Sequence, residues 1–305
     1  MTDDPSMRVE PAVPADPPVL SGPRPRSPRR LLLGRLLRRP TALCAMAILA
    51  LVVLAAAFAQ TLAPYAPSRM DIAHRLAAPD ARHLLGSDDF GRDVLSRLLF
   101  GARLSLAVGA LVVMLATALG LAIGITAGFV RRLDAALMRF TDALMAFPDI
   151  LLAIALVAGL GPSLFDVVLA LGIVYTPRVA RIVRGATLVL RELPFIEAAR
   201  SMGASTPRIM ATHLLPNLTS ALIVQGTFIF GYAILTEAAL SFLGTGVPPT
   251  TPTWGNMMAG AQAYMGRADW LIFVPGAAIV LTVLSLQILG DGLRDALDPK
   301  LQRLM

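Results

Sequence analysis

The sequence predicts an all-α integral membrane protein with six transmembrane helices. Of its 305 residues, 56% are hydrophobic and the mean hydropathy is +0.68, values typical of membrane proteins. Six apolar runs each approach the ~20 residues that a helix needs to cross ~30 Å of hydrocarbon. Transmembrane strands would need alternating segments of ~10 residues, which the sequence lacks. The predicted spans are residues 41–62, 104–129, 138–160, 163–180, 218–243 and 270–290.

The basic residues predict the orientation of the chain in the membrane. With six spans and the N-terminus inside, 20 of the 27 Lys and Arg residues lie in cytoplasmic segments and 7 lie outside. Both termini are therefore expected in the cytoplasm. The net charge of +7 follows from this bias, so no nucleic-acid partner is needed to explain it.

The segments that flank the core are polar. Residues 1–30 contain eight prolines and predict a disordered cytoplasmic tail. Residues 31–40 place leucines opposite arginines, which predicts an interfacial helix before the first span at 41–62. A periplasmic segment at 63–103, a core of five transmembrane helices at 104–290 and a cytoplasmic tail at 291–305 complete the predicted organisation.

The second half of the periplasmic segment predicts an amphipathic helix on the outer surface. Ser87 or Asp88 can cap its start, and apolar residues then recur at helical spacing opposite Arg92 and Asp93. One hypothesis makes Asp88, Arg92 and Asp93 part of a periplasmic gate or receptor-docking element. The alternative is a surface helix that only stabilises the bundle.

Small residues form a stripe along the second predicted span. Residues four apart lie on one face of a helix, and small side chains there let two helices approach closely. We expect packing within the subunit, with contact to a second membrane subunit as the alternative. The stripe consists of Ala116, Gly120, Gly124 and Gly128.

Two acidic residues lie inside predicted spans, where a charge is expensive. Asp149 follows Pro148 in the third span, and Glu237 lies late in the fifth. Both could line a hydrated path for a charged solute. Alternatively, Asp149 caps a helix that restarts after Pro148, and Glu237 makes a structural hydrogen bond.

Several kinds of site are missing from the sequence. Lys300 is the only lysine and no G-x-x-x-x-G-K-[ST] motif occurs, so the chain cannot build a P-loop. Cys44 is the only cysteine, and the three histidines show no metal-ligand spacing. We therefore expect no cofactor, metal or catalytic site on this chain, and any ATP chemistry must come from another polypeptide.

The most informative motif is EAARSMGASTPRIMATHLLPN, which begins at Glu197. It resembles the EAA loop of permease subunits in binding-protein-dependent ABC importers, with Glu197, Ala198 and Ala199, then Gly203, then Leu215 and Pro216. His213 stands where the general pattern has isoleucine. The small alanines suit a docking helix, and Gly203 permits a sharp turn after it.

Two further stretches resemble the dipeptide, oligopeptide and nickel importer permeases, in particular the second, C-type permease of the pair. These are GSDDFGRDVLSRLLFGARLSL from Gly86 and SFLGTGVPPTTPTWG from Ser241. The resemblance implies a type I importer permease with six transmembrane helices, an external amphipathic helix and a cytoplasmic coupling helix.

The same resemblance implies the partners and the work of the chain. It would pair with a second permease subunit, as a heterodimer, above two ATP-binding subunits that hold ATP and Mg, and beneath a periplasmic substrate-binding protein. Its cargo would be di- or oligopeptides, with glutathione, nickel complexes or another small solute as alternatives. An ion-coupled secondary transporter would account for Asp149 and Glu237 without partners, but it gives no reason for the EAA loop.

Overall fold

The computed structural model describes residues 39–297, which form eleven α-helices, two 3₁₀ turns and one π-helical turn. Four helical stretches among these residues are long and apolar, as the composition leads one to expect. The helices are α1 (Pro40–Ala57), α2 (Ala59–Leu62), α3 (Val94–Phe129), α4 (Arg131–Met145), α5 (Asp149–Leu160), α6 (Leu164–Leu190), α7 (Pro194–Ser201), α8 (Thr206–Ile209), α9 (Leu215–Phe242), α10 (Trp254–Ala261) and α11 (Trp270–Leu297).

The centre of the bundle is the pair α3 and α6, which have the most extensive packing of any two helices described. A Cβ added to Gly120 would lie 2.5 Å from Cβ of Val179, and one added to Gly128 would lie 2.7 Å from Cβ of Thr187. The contacts therefore advance in the same direction along both helices, which run parallel. All four residues of the predicted stripe are buried within the subunit, and its three glycines face α6.

The count of six spans is not confirmed. Within residues 39–297, four helical stretches are long and apolar enough to cross a membrane, and a fifth is added if one bent pair counts as a single span. The first, second, fifth and sixth predicted spans correspond to α1, α3, α9 and α11. The chain is an integral membrane protein, and the third and fourth predicted spans are where it departs from simple apolar helices.

The predicted external helix is not a separate element. α3 begins at Val94 and continues for 36 residues, so residues 94–103 are the first turns of the second span. The cap is Asp93, whose side chain accepts a hydrogen bond from the backbone N–H of Ser96, rather than Ser87 or Asp88. Amphipathic spacing arises here because one side of the helix end packs on the loop before it.

The third predicted span is bent. α4 and α5 are separated by three residues and meet at an angle of 93°. Pro148 lacks an N–H and disfavours the helical conformation at Phe147, which accounts for the break at this position. α5 is apolar after its first residue, Asp149, whereas α4 is amphipathic and carries Asp134 and Asp142.

The fourth predicted span is longer and more charged than expected. α6 runs to Leu190, ten residues beyond the predicted end. It carries Arg178, which lies inside the predicted span, and also Arg181 and Arg184, which the prediction left beyond the span's end. Each pairs with an aspartate on α4 or α5, which offsets the cost of three cations on one largely apolar helix.

The ends of the chain complete the comparison with the predicted organisation. α11 continues to Leu297, so the first seven residues of the predicted C-terminal tail extend the last helix. The predicted N-terminal tail and nearly all of the interfacial helix at 31–40 lie outside the described residues, as do residues 298–305.

Candidate functional site

The EAA segment (residues 194–216) joins α6 to α9. Its first helix, α7, starts with Pro194 at a position that needs no intrahelical donor. It ends in a Schellman turn, in which the N–H of Ala204 bonds the carbonyl of Ala199 at 3.0 Å and the N–H of Gly203 bonds that of Arg200 at 2.9 Å. Gly203 adopts φ +80°, the left-handed conformation that this turn requires.

α7 has one face turned inward and one turned outward. Ile196 and Ala199 are buried and pack in the main core cluster. Glu197 and Ala198 are exposed, as is Met202, which is 81% exposed. Of the two adjacent alanines, Ala199 therefore seats the helix on its own subunit, and Ala198 belongs to the free surface.

The second half of the EAA segment passes through an irregular turn into α9. Residues Met210–Leu214 are π-helical. Pro216 follows near the start of α9 and has no N–H to donate to the preceding turn, which favours the wider helical geometry there. Leu214 is fully buried, whereas Leu215 and Pro216 are exposed.

The EAA segment and the loop between α2 and α3 lie at opposite ends of the bundle, because α3 and α6 are parallel. We call residues 63–93 the first loop. Its last residue, Asp93, is 2% exposed. One carboxylate oxygen accepts from the N–H and hydroxyl of Ser96, each at 2.7 Å, and the other lies 3.0 Å from Nδ1 of His83.

A second buried carboxylate organises the turn before Asp93. Asp88 accepts backbone hydrogen bonds from Phe90 and Arg92 at 2.9 Å and a side-chain bond from Nε of Arg92 at 2.6 Å. Arg97 of α3 lies 3.6 Å from the same carboxylate and is 4% exposed. Asp88, Arg92 and Asp93 thus lie close together at the end of the first loop, and their side chains bind groups of the loop and of the start of α3. A docking or gating role for them stays a prediction.

The pKa values of two other carboxylates of the first loop are shifted in opposite directions. Burial raises the pKa of Asp89 above its usual 3.8, and the neighbouring charge of Asp88 adds to this shift. At Asp71, the hydrogen bond with His74 lowers the pKa below the same value. The loop therefore stabilises one of these charges and disfavours the other.

Glu237 is fully buried near the first-loop end of α9. One carboxylate oxygen accepts from the hydroxyls of Ser241 at 2.9 Å and Thr253 at 3.0 Å. The other oxygen has no partner among the described residues. Thr253 also caps α10 through the N–H of Asn256, so Glu237 ties α9 to the start of α10.

Asp149 lies at the start of α5, but its side chain does not cap that helix. It is ion-paired with Nη2 of Arg178 on α6. Two further pairs follow along α6, with Arg181 2.7 Å from Asp142 and Arg184 2.5 Å from Asp134. The sequence analysis missed this ladder of three pairs. Its signal was the spacing of three residues between arginines at 178, 181 and 184, which places them along one side of a helix.

No group of three or more His, Cys, Asp or Glu side chains within residues 39–297 is placed to hold a metal ion. The arrangement instead offers an exposed helix at one end, a closed polar loop at the other and a line of ion pairs between them.

Comparison with known proteins decides the family. Residues 116–303 match the binding-protein-dependent transport system inner membrane component family. The chain belongs to this family. Residues 27–79 match the N-terminal transmembrane domain of oligopeptide transport permease C, which agrees with the C-type resemblance in the sequence.

Relatives of this permease align over nearly its whole length. A putative peptide transport system permease protein of Brucella suis is 47% identical and covers 91% of this chain and 94% of its own. The di/tripeptide transport system permease protein DppC of Pseudomonas aeruginosa is 45% identical, covering 86% and 88%. The glutathione transport system permease protein GsiD of Pectobacterium atrosepticum is 44% identical, covering 93% and 95%.

The fold of the permease also has a solved counterpart. A chain of the MetNI methionine ABC transporter, described in inward-facing conformations, superposes with a TM-score of 0.54. It covers 66% of this chain and 97% of the other at 21% identity. The type I importer permease fold predicted from the sequence is thereby confirmed.

Proposed function

We propose that this chain is one of two permease subunits of a bacterial ABC importer for short peptides, and that its EAA segment transmits the action of separate ATP-binding subunits. The observation that carries the proposal is the geometry of α7. A short helix with an exposed face of Glu197, Ala198 and Met202 is held at a fixed angle by a Schellman turn, at the membrane end reached by α6 and α9.

The exposed apolar side chains around α7 support a protein partner at this surface. Phe195 is 41% exposed and Met202 81%, in a segment that the charge distribution places in the cytoplasm. Large apolar groups beside a charged residue are typical of a docking surface. The buried residues Ile196 and Ala199 support transmission, because movement of α7 would displace the core it packs on.

The orientation completes the proposed assembly. We place the EAA segment and both termini in the cytoplasm and the first loop in the periplasm, where a substrate-binding protein would deliver the solute. The chain lies in the inner membrane beside a second, similar permease. ATP and Mg belong to the ATP-binding subunits. Relatives named for peptides or glutathione favour short peptides with free termini as the substrate class.

Two adjacent alanines provide a matched test. In a Cys44→Ala background, Ala198→Cys and Ala199→Cys would each carry a maleimide-linked photocrosslinker in membranes that contain all subunits. We expect Ala198→Cys to form an adduct with an ATP-binding subunit and Ala199→Cys, which is buried, to form none. Efficient labelling at Ala198→Cys without any such adduct would contradict the proposal, as would peptide uptake that needs no ATP-binding subunit.

A further inference from the structure

The ion pair nearest the middle of the bundle is only partly covered. The side chain of Arg178 is 32% exposed and that of Asp149 is 39% exposed. Val179, the neighbour of Arg178, packs against Gly120 of α3, nine residues or ~14 Å before the end of that apolar helix at Phe129, so the pair lies within the apolar part of the bundle. Charges at this depth face a hydrated cavity or another protein, because exposure to lipid is expensive.

Two tyrosines complete the surroundings of this ion pair. The guanidinium of Arg178 lies 5.4 Å from the ring centre of Tyr175 and 5.3 Å from that of Tyr232. Tyr175 is buried and its hydroxyl is 2.7 Å from that of Thr236, so the position of its ring is fixed. Tyr232 is 41% exposed, and its ring belongs to the same open surface as the ion pair.

An open groove leads towards this surface from the end of the bundle that carries the EAA segment. It has a volume of about 440 Å³ and lies between α6, α9 and α11, with Arg294 near its entrance. Its lining includes Ile182 and Phe228. Arg178 and Tyr232 lie one helical turn further along from these two residues, on the same faces of α6 and α9. The groove and the ion pair are therefore parts of one continuous face.

From this arrangement we infer that Arg178, Asp149 and Tyr232 form a transient site for the two charged ends of a short peptide. The inference rests on the proposed function and adds a substrate-recognition site to it. The planar guanidinium of Arg178 suits a carboxylate, and Asp149 suits an ammonium group. The peptide replaces the internal ion pair with two equivalent pairs of its own, so no charge is left unpaired when it enters or leaves.

The three ion pairs of the ladder differ in how the arginine is held. Arg184 makes two hydrogen bonds to Asp134, at 2.5 and 2.7 Å, and is held in a fixed fork. Arg178 makes one bond to Asp149 and has an aromatic ring on its open side. Arg181 lies between them and offers a matched control, since Arg181→Gln removes the same charge one step along the same helix.

A single-cysteine experiment tests the site in the assembled importer. In the Cys44→Ala background, Ile182→Cys reports access to the groove by its rate of modification with a small water-soluble maleimide. Val189→Cys, 68% exposed in the native residue and two turns further along α6, is the control position. Dialanine is the probe, and N-acetyl-dialanine and dialanine amide are its analogues with one end blocked.

We expect millimolar dialanine to slow modification at Ile182→Cys severalfold, the blocked analogues to slow it much less, and none to affect Val189→Cys. Adding Arg178→Gln should weaken the protection roughly tenfold, as expected for loss of a charged hydrogen bond. Arg181→Gln should leave the protection in place. Asp149→Asn provides a second variant, which should no longer distinguish dialanine from its N-acetyl form.

Three results would overturn the inference. Modification of Ile182→Cys in the isolated chain but not in the importer would place this face against another subunit. If dialanine and its blocked analogues protect Ile182→Cys equally, or if none of them protects it, the site does not recognise the charged termini of a peptide. If the Arg178→Gln chain still copurifies with its partner subunits and dialanine still protects Ile182→Cys fully, Arg178 is not part of the site. A chain that fails to copurify with ATP-binding subunits would instead contradict the proposed function itself.

Discussion

The first loop and the EAA segment connect helices at opposite ends of the bundle. They are stabilised by different kinds of interaction. In the first loop the polar side chains bind one another, and His83, Asp88 and Asp93 are all buried. In the EAA segment the fold is held by backbone hydrogen bonds and a few apolar residues, while Glu197, Ala198 and Pro216 are exposed. The first loop is held by polar side chains that bind one another, although it still exposes apolar residues such as Ile72 and Leu84, whereas the EAA segment presents one face of a short helix.

The glycines show the same contrast. A Cβ on Gly91, which has φ +72°, would lie 1.7 Å from the carbonyl oxygen of Asp71. A Cβ on Gly203, which has φ +80°, would meet nothing within 4 Å. Gly91 is therefore required by both conformation and space, and Gly203 by conformation alone. Each of the following predictions tests this difference between a closed loop and an open one.

The largest effect is expected for Gly91→Ala. The added methyl overlaps the backbone at Asp71, so the first loop cannot close and the importer should be lost from detergent extracts. Gly203→Ala, at nearly the same φ, should cost only about 1–2 kcal/mol of strain and should assemble. Size-exclusion profiles of the two variants measure this, and equal recovery of both would refute the contrast.

Glu237 tests the closed end of the bundle. Glu237→Ala removes the acceptor for Ser241 and Thr253 and leaves buried hydroxyls unpaired, which costs about 1–3 kcal/mol. Glu237→Gln keeps an acceptor and should lose less. Thermal stability of the assembled importer, measured beside peptide uptake per folded complex, separates a structural role from a role in the path. Unchanged stability with altered uptake in Glu237→Gln would favour the path.

Gly203 tests the open end. Gly203→Val strains the Schellman turn by about 1–2 kcal/mol and reorients α7, so ATP hydrolysis stimulated by the loaded binding protein should fall while the chain still inserts in the membrane. Gly203→Asn is the control, because asparagine tolerates the left-handed conformation. Normal transport together with normal stimulated ATPase activity in Gly203→Val would show that the turn at Gly203 is not needed to couple ATP hydrolysis to transport.

The smallest effect is expected for Asp89→Asn. Because the pKa of Asp89 is raised in the folded chain, the folded state binds more protons than the unfolded state just above pH 3.8, and stability falls as the pH rises through that window. At pH 7 the charged form is therefore a penalty that asparagine removes. The variant should melt slightly above the native chain at pH 7, with the difference shrinking near pH 4. A lower melting temperature at pH 7 would contradict this.

The sequence predicted these two ends with different success. The EAA segment was located, and its turn at Gly203 was anticipated, because a motif with a positive-φ glycine is a local signal. Residues 94–103 were misassigned to a separate surface helix, because their continuation into α3 and the contact of Arg97 with Asp88 are not revealed by spacing. Arg181 and Arg184 of α6 were left outside the fourth predicted span because hydropathy treats each charge as unpaired. Their partners lie 39 and 50 residues away.

The arginine–aspartate ladder also joins parts of the chain that are synthesised at different times. Asp134, Asp142 and Asp149 precede their arginines by 50, 39 and 29 residues, so all three acids are made before α6. The anions that offset the charge of α6 therefore exist before the helix that needs them. The glycine face of α3, on which the same helix packs, is made earlier still. Each contact of α6 with α3, α4 and α5 thus has its partner synthesised in advance.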